Sequence, residues 1–247
     1  MRRWLRSLAC TAWCGWALGC AGGTETGNPS FDGQLAYDAY SSDVTAVALS
    51  AVDDEPVAGA TVIDSVWLVL GDISFDTACA PAGDAPVHAT GIGEGDHAAQ
   101  GRVVTALAIA AGEYCSVRVP LERAPAEPMA GPAELGEHSI LIQGATPDGT
   151  PFRVRSALQG GLELSGDGPF ELSASAGTVL IGFDLAVWMQ AIDWSEAEQN
   201  GGVIEIDELS NAALLQRFEA ALASGTGLYR SDATGPIDSA HPLARGQ

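Results

Sequence analysis

The feature that most constrains this chain is a series of short, strand-like runs broken by Gly and Pro. Thr61–Phe75 is rich in Val, Ile, Leu and Trp, and Gly71-Asp72 is placed to break or bulge it. Arg102–Ala110 alternates Val103, Thr105, Leu107 and Ile109 with small residues, and Ala111-Gly112-Glu113 turns into Tyr114–Leu121. In that run Cys115, Val117, Val119 and Leu121 share one face, and Tyr114, Ser116, Arg118 and Glu122 share the other. This is the period of a half-buried strand. Gln34–Tyr40 and Val44–Val52 alternate in the same way. His138–Gln143 and Pro151–Ala157 flank Pro147-Asp148-Gly149. Pro presets φ and Gly takes the left-handed position, so this pair reads as a hairpin. Gly161–Leu164, Phe170–Ala174 and Thr178–Asp184 complete the set. The expectation is a mainly β fold, with a β-sandwich over residues 34–184.

After Asp184 the period changes. Asp184–Ala191 reads as a short helix and Val203–Ile206 as a small strand. Ser210–Ser224 is the clearest helix: Asn211 is placed to cap it, Leu214, Leu215, Phe218, Ala221 and Leu222 share a face, and Gly225 ends it. Residues 185–225 therefore form a small α-containing C-terminal part, and 226–247 read as a polar tail.

The N-terminus carries a different signal. Arg2, Arg3 and Arg6 precede an uncharged run from Ser7 to Leu18. That run is shorter than the roughly 20 residues a membrane-spanning helix needs, and it matches the apolar region of a cleaved signal peptide, residues 1–19. Ala17-Leu18-Gly19-Cys20 resembles a bacterial lipobox, which implies lipidation of Cys20 as the first mature residue. Acyl chains add about 0.8 kcal/mol per buried methylene, so several of them anchor a protein stably. Ala21 follows the cysteine, and by the same resemblance that directs the product to the outer membrane, on its periplasmic face or at the cell surface. Residues 20–33 are nearly devoid of apolar side chains and read as a flexible tether.

With Cys10 and Cys14 removed with the signal and Cys20 acylated, Cys79 and Cys115 remain. An even remainder in an exported chain reads as a disulfide. Closing a loop of about 36 residues contributes on the order of 3–4 kcal/mol in the chain-entropy model. A metal role for the two is the weaker alternative, because no Cys-x-x-Cys occurs and no His lies close in sequence.

Composition excludes several functions. The chain has no Lys, which removes a phosphate-loop lysine, a Schiff-base lysine and a Ser-x-x-Lys nucleophile. Its formal net charge of −21 opposes nucleic-acid binding. Gly-x-Ser-x-Gly and His-Glu-x-x-His are absent.

Gly23-Thr24-Glu25-Thr26-Gly27-Asn28-Pro29 after the lipobox resembles the start of many uncharacterised outer-membrane lipoproteins of high-GC Gram-negative bacteria. Ile63–Ile73 followed by Ala111-Gly112-Glu113-Tyr114-Cys115 resembles the core strand pair of exported β-sandwich domains, among them methanobactin-partner-like copper proteins. The resemblance implies a β-sandwich on a lipid tether and brings no known activity. The expected function is a non-catalytic, lipid-anchored binding or structural module of the envelope, contacting the membrane through its anchor and needing no cofactor. The alternative is a periplasmic metal-binding protein, copper by the resemblance, using His88, His97 and His138. Of these, His97 ends the Gly-rich acidic stretch Gly91–His97. Asp53-Asp54-Glu55 and Glu205–Glu208 read as charges at loops or strand edges, Asp232–Asp238 as an acidic tail segment, and Trp194 as an exposed aromatic to watch for binding.

Overall fold

A computed structural model describes residues 30–50, 58–77, 87–89, 93–96, 103–124, 132–173, 178–231, 237–238 and 240–246. Cys20, Cys79, His97 and the Asp53-Asp54-Glu55 cluster lie outside these residues. In chain order the strands are β1 (Ser30–Tyr40), β2 (Val47–Leu49), β3 (Thr61–Leu70), β4 (Ile73–Asp76), β5 (Val87–Ala89), β6 (Gly93–Asp96), β7 (Val103–Ala110) and β8 (Gly112–Leu121). They continue with β9 (Ile140–Ala145), β10 (Pro151–Ser156), β11 (Gly160–Leu172) and β12 (Thr178–Asp184). Helix α1 (Leu185–Gln190) follows, then β13 (Gln199–Asn200), β14 (Val203–Ile206), helix α2 (Ala212–Ala221), β15 (Thr226–Ser231) and β16 (Ala244–Gly246). The protein is mainly β, and both helices belong to its latter part.

The strands form one mixed sheet in the order β13-β14-β10-β9-β3-β8-β11-β16-β15-β12-β1-β7. β2 and β6 add to β3, and β4 bridges β5 and β8. Leu35, Tyr37 and Val179 near one end of this path share a single buried cluster with Val154, Ile204 and Ile206 near the other. The sheet therefore folds over on itself, and its inner face makes the core. Leu185, Trp188 and Met189 of α1 and Leu214, Leu215 and Phe218 of α2 enter the same cluster. Trp188 sits at the junction: its ring lies 5.6 Å from Phe183 and 6.1 Å from Phe218, and its Nε1–H donates to the Leu222 carbonyl at 3.1 Å.

Local sequence explains several elements. Gly71-Asp72 separates β3 from β4, as expected. The β9–β10 hairpin closes through Thr146–Thr150, with Gly149 at φ 83°. The Asp148 carboxylate accepts from the Thr146 hydroxyl and from the Thr150 N–H. Asp184 ends β12 and caps α1, its Oδ1 accepting from the Ala186 N–H at 3.1 Å.

Five expectations need correction. Residues 226–247 are not a polar tail: β15 pairs with β12 from Thr178 to Phe183, and β16 joins β15 to β11. Leu228 and Tyr229 are buried. Residues 30–33, expected in the tether, belong to a strand: Ser30 and Phe31 pair with Ala110 and Ile109. Val44 lies in a turn rather than a strand, and pairing starts at Val47. Tyr114 points inward, fully buried, with its ring 5.8 Å from Phe75 and 6.3 Å from Phe170. Its pairing with β11 shifts register here, from Ser165 opposite Ser116 to Phe170 opposite Tyr114. Finally, Asn211 precedes α2 but makes no side-chain cap. It adopts φ 56°, a left-handed conformation that Asn tolerates, and its amide donates to the carbonyls of Glu198 and Glu205 at 2.9 and 2.7 Å.

Two outcomes are expected. A chain ending at Gly225 loses its cooperative thermal transition, followed by circular dichroism, because β12 and β11 lose strand partners; a melting curve matching that of the full chain contradicts the topology. Trp188→Ala costs about 3–5 kcal/mol of stability by chemical denaturation, as a large buried aromatic does.

Candidate functional site

The strands that meet at the C-terminal end of β12 enclose a cleft of about 260 Å³, lined by Tyr40, Ser42, Asp184, Val187, Ser224, Gly225, Thr226, Tyr229 and Arg245. Its floor follows from two glycines. Gly182 of β12 and Gly227 of β15 are directly paired. A Cβ on Gly182 would come within 2.9 Å of the Tyr229 ring and 3.0 Å of the Tyr40 ring, and one on Gly227 within 2.8 Å of Tyr229 Cζ. The bare glycine pair lets both rings lie against the sheet. They meet edge to face, with centroids 6.3 Å apart, and their hydroxyl oxygens are 3.0 Å apart.

Asp184 forms the buried wall. Its Oδ1 accepts from the Ser42 and Ala186 N–H groups, each at 3.1 Å, and its own N–H donates to the Gly225 carbonyl at 2.7 Å. Its second carboxylate oxygen has no hydrogen-bond partner among the described residues, although the residue is only 7% exposed. Burial drives the Tyr40 hydroxyl far above the ordinary phenol range; the bond and charge of Tyr229 and the charge of Asp184 add to this, and Arg245 opposes it. Tyr40 therefore stays protonated across the physiological range and serves as a hydrogen-bonding group rather than a base. A larger groove of about 510 Å³, lined by Ser165–Asp167 and Ala240–Arg245, adjoins through Arg245. It is shallow and rimmed by exposed Asp167 and His241, so the smaller cleft is where buried polar chemistry converges.

The residues singled out from sequence lie elsewhere. His138 donates from Nδ1 to the Leu135 carbonyl at 2.8 Å, and its Nε2 lies 3.8 Å from Glu208. His88 sits on β5 opposite Ser74. Among the described residues no group of three or more His, Cys, Asp or Glu converges to hold a metal ion. Cys115 is half-buried on β8, and its Sγ is 4.0 Å from the carbonyl oxygen of Thr77. Trp194 is half-buried rather than exposed, packed 4.7 Å from Phe152. Glu205 and Asp207 are not isolated edge charges. Arg153 on β10 faces Glu205 on β14 and bonds it at 3.0 Å, and Arg155 reaches both Glu205, at 3.4 Å, and Asp207. Of the cleft residues Asp184, Gly225 and Tyr40 carried sequence signals, as a helix start, a helix end and the end of a strand, but none as part of a site. Tyr229 and Arg245 were hidden in the supposed tail.

No protein-family model matches the chain, and no curated protein and no solved structure matches it.

Asp207 supplies a pH-dependent test. Burial pushes its carboxyl up, but the N–H groups of Leu209 and Ser210 at 2.9 and 2.8 Å, together with Arg155, outweigh burial and hold it below the ordinary carboxylate range. A carboxyl lowered in the folded state contributes stability above its unfolded pKa, and that contribution is lost as pH falls through the folded value. Asp207→Asn is therefore expected to destabilise at neutral pH, with the gap to wild type narrowing below about pH 4. Denaturation midpoints that differ equally at every pH contradict this.

Proposed function

We propose that the chain is a non-catalytic binding module held to the bacterial outer membrane by lipid on Cys20. The observation that carries this is Ala17-Leu18-Gly19-Cys20 placed after a basic start and an uncharged run. A further observation supports it: strand β1 begins at Ser30, ten residues after Cys20. No helix among the described residues is long and apolar enough to cross a membrane. Binding rather than chemistry is the role proposed for the cleft. Its phenol is held protonated, and one oxygen of its carboxylate is committed to backbone N–H groups.

An oxidising compartment goes with this reading, and with it a Cys79–Cys115 bridge. The position of the Cys115 sulfur beside Thr77, two residues before Cys79, supports that pairing.

Metabolic labelling with a radioactive or clickable fatty acid is expected to mark the wild-type chain and leave Cys20→Ser unlabelled; equal label in both defeats the anchor. Non-reducing peptide mapping is expected to recover the Cys79 and Cys115 peptides joined, and free thiols at both positions count against export.

A further inference from the structure

The cleft at the end of β12 has features that narrow its ligand. Charges of both signs line it, Asp184 from the buried side and Arg245 from the exposed side. An anion is repelled by the first and a cation by the second, so a ligand of either net charge gains from one wall and loses at the other. The remaining lining is rich in hydroxyls: Tyr40, Tyr229, Ser42, Ser224 and Thr226. Thr226 spends its proton on the Leu222 carbonyl at 2.7 Å, and Ser224 spends its own on the Ala221 carbonyl at 2.9 Å. Both oxygens then present acceptor lone pairs. In the Tyr40–Tyr229 pair one hydroxyl donates to the other, so one phenolic proton is left to donate outward. The second oxygen of Asp184 adds an acceptor on the cleft wall. Acceptors at Asp184, Ser224 and Thr226 thus stand beside donors at Arg245, Ser42 and one phenol around a small space.

We infer that this cleft binds an uncharged, polyhydroxylated ligand the size of one sugar ring, with the Asp184 carboxylate accepting from ligand hydroxyls. This deepens the proposed binding role and rests on it, but not on the lipid. A sugar hydroxyl both donates and accepts, which suits a wall that mixes acceptors with donors. The half-buried ring of Tyr40 supplies apolar surface against which the C–H groups of a sugar ring pack.

The test uses the full chain, extracted in a polyoxyethylene detergent so that no sugar-headed detergent competes. Saturation-transfer NMR and calorimetry are run with neutral hexoses, pentoses and N-acetylhexosamines, and with a uronic acid, a free amino sugar and a zwitterionic amino acid for comparison. At least one neutral sugar is expected to bind with a Kd of about 1 mM or tighter. Tyr229→Phe should weaken it tenfold or more, and Ser224→Trp, an exposed change that fills the mouth, should abolish it while the melting temperature holds. Absence of binding by every neutral sugar, binding untouched by both variants, or preference for the amino acid overturns the inference. Failure of acyl labelling would not touch this result, because an unanchored chain is titrated in the same way without detergent.

Discussion

Every residue of β12, Thr178 to Asp184, is buried, and a strand in that position must have both backbone edges paired. A buried N–H or C=O left without a partner costs roughly 1–3 kcal/mol, so an open edge along seven residues is not tolerable. One edge is closed by β1, which runs parallel to it, and the other by β15, which runs antiparallel. β1 comes from the first described residues and β15 from near the last. A parallel neighbour cannot be reached by a tight turn, so the chain makes its long excursion through β2–β11 before returning. The sheet between is what that excursion builds. The two ends of the chain are thereby locked into one core, and Leu35, Ile181 and Leu228 share it.

The cleft is a by-product of the same arrangement. Three strand ends meet where β12 stops, and Asp184 stops it by turning its carboxylate onto the first N–H groups of α1 and of the segment after β1. With no side chains on the Gly182–Gly227 pair, the nearest large residues on β1 and β15 fall across it. Ring burial then keeps the Tyr40 proton in place. Loss of pairing by β15 would remove Tyr229 and the opposite wall together. Stability of the sheet and integrity of the candidate site are therefore the same property.

Much of the β architecture was legible in the sequence, because alternation and turn residues act locally. The Pro147-Asp148-Gly149 hairpin, the Gly71-Asp72 interruption and the helix beginning after Asp184 each follow from a few neighbouring residues. What was not legible depended on distant partners. Thr226–Ser231 has as many small residues as large ones and little hydrophobic pattern; it is a strand because β12 and β16 hold it there. Tyr114 lies buried where the β8–β11 pairing shifts register, which its own alternation does not reveal. The candidate site was missed for a related reason: its two phenols are separated by 189 positions in the chain. The histidines that stood out by residue type are not brought together among the described residues.

Native-state hydrogen exchange followed amide by amide tests the central role of β12 and its two partners most directly. The amides of β15 that bond to β12 are expected to exchange with the same free energy as those of β12 and β1, at the level of global unfolding. Rapid local exchange throughout Thr226–Ser231, with β12 still protected, would show that the C-terminal strand does not close the sheet, and the cleft would lose its second wall.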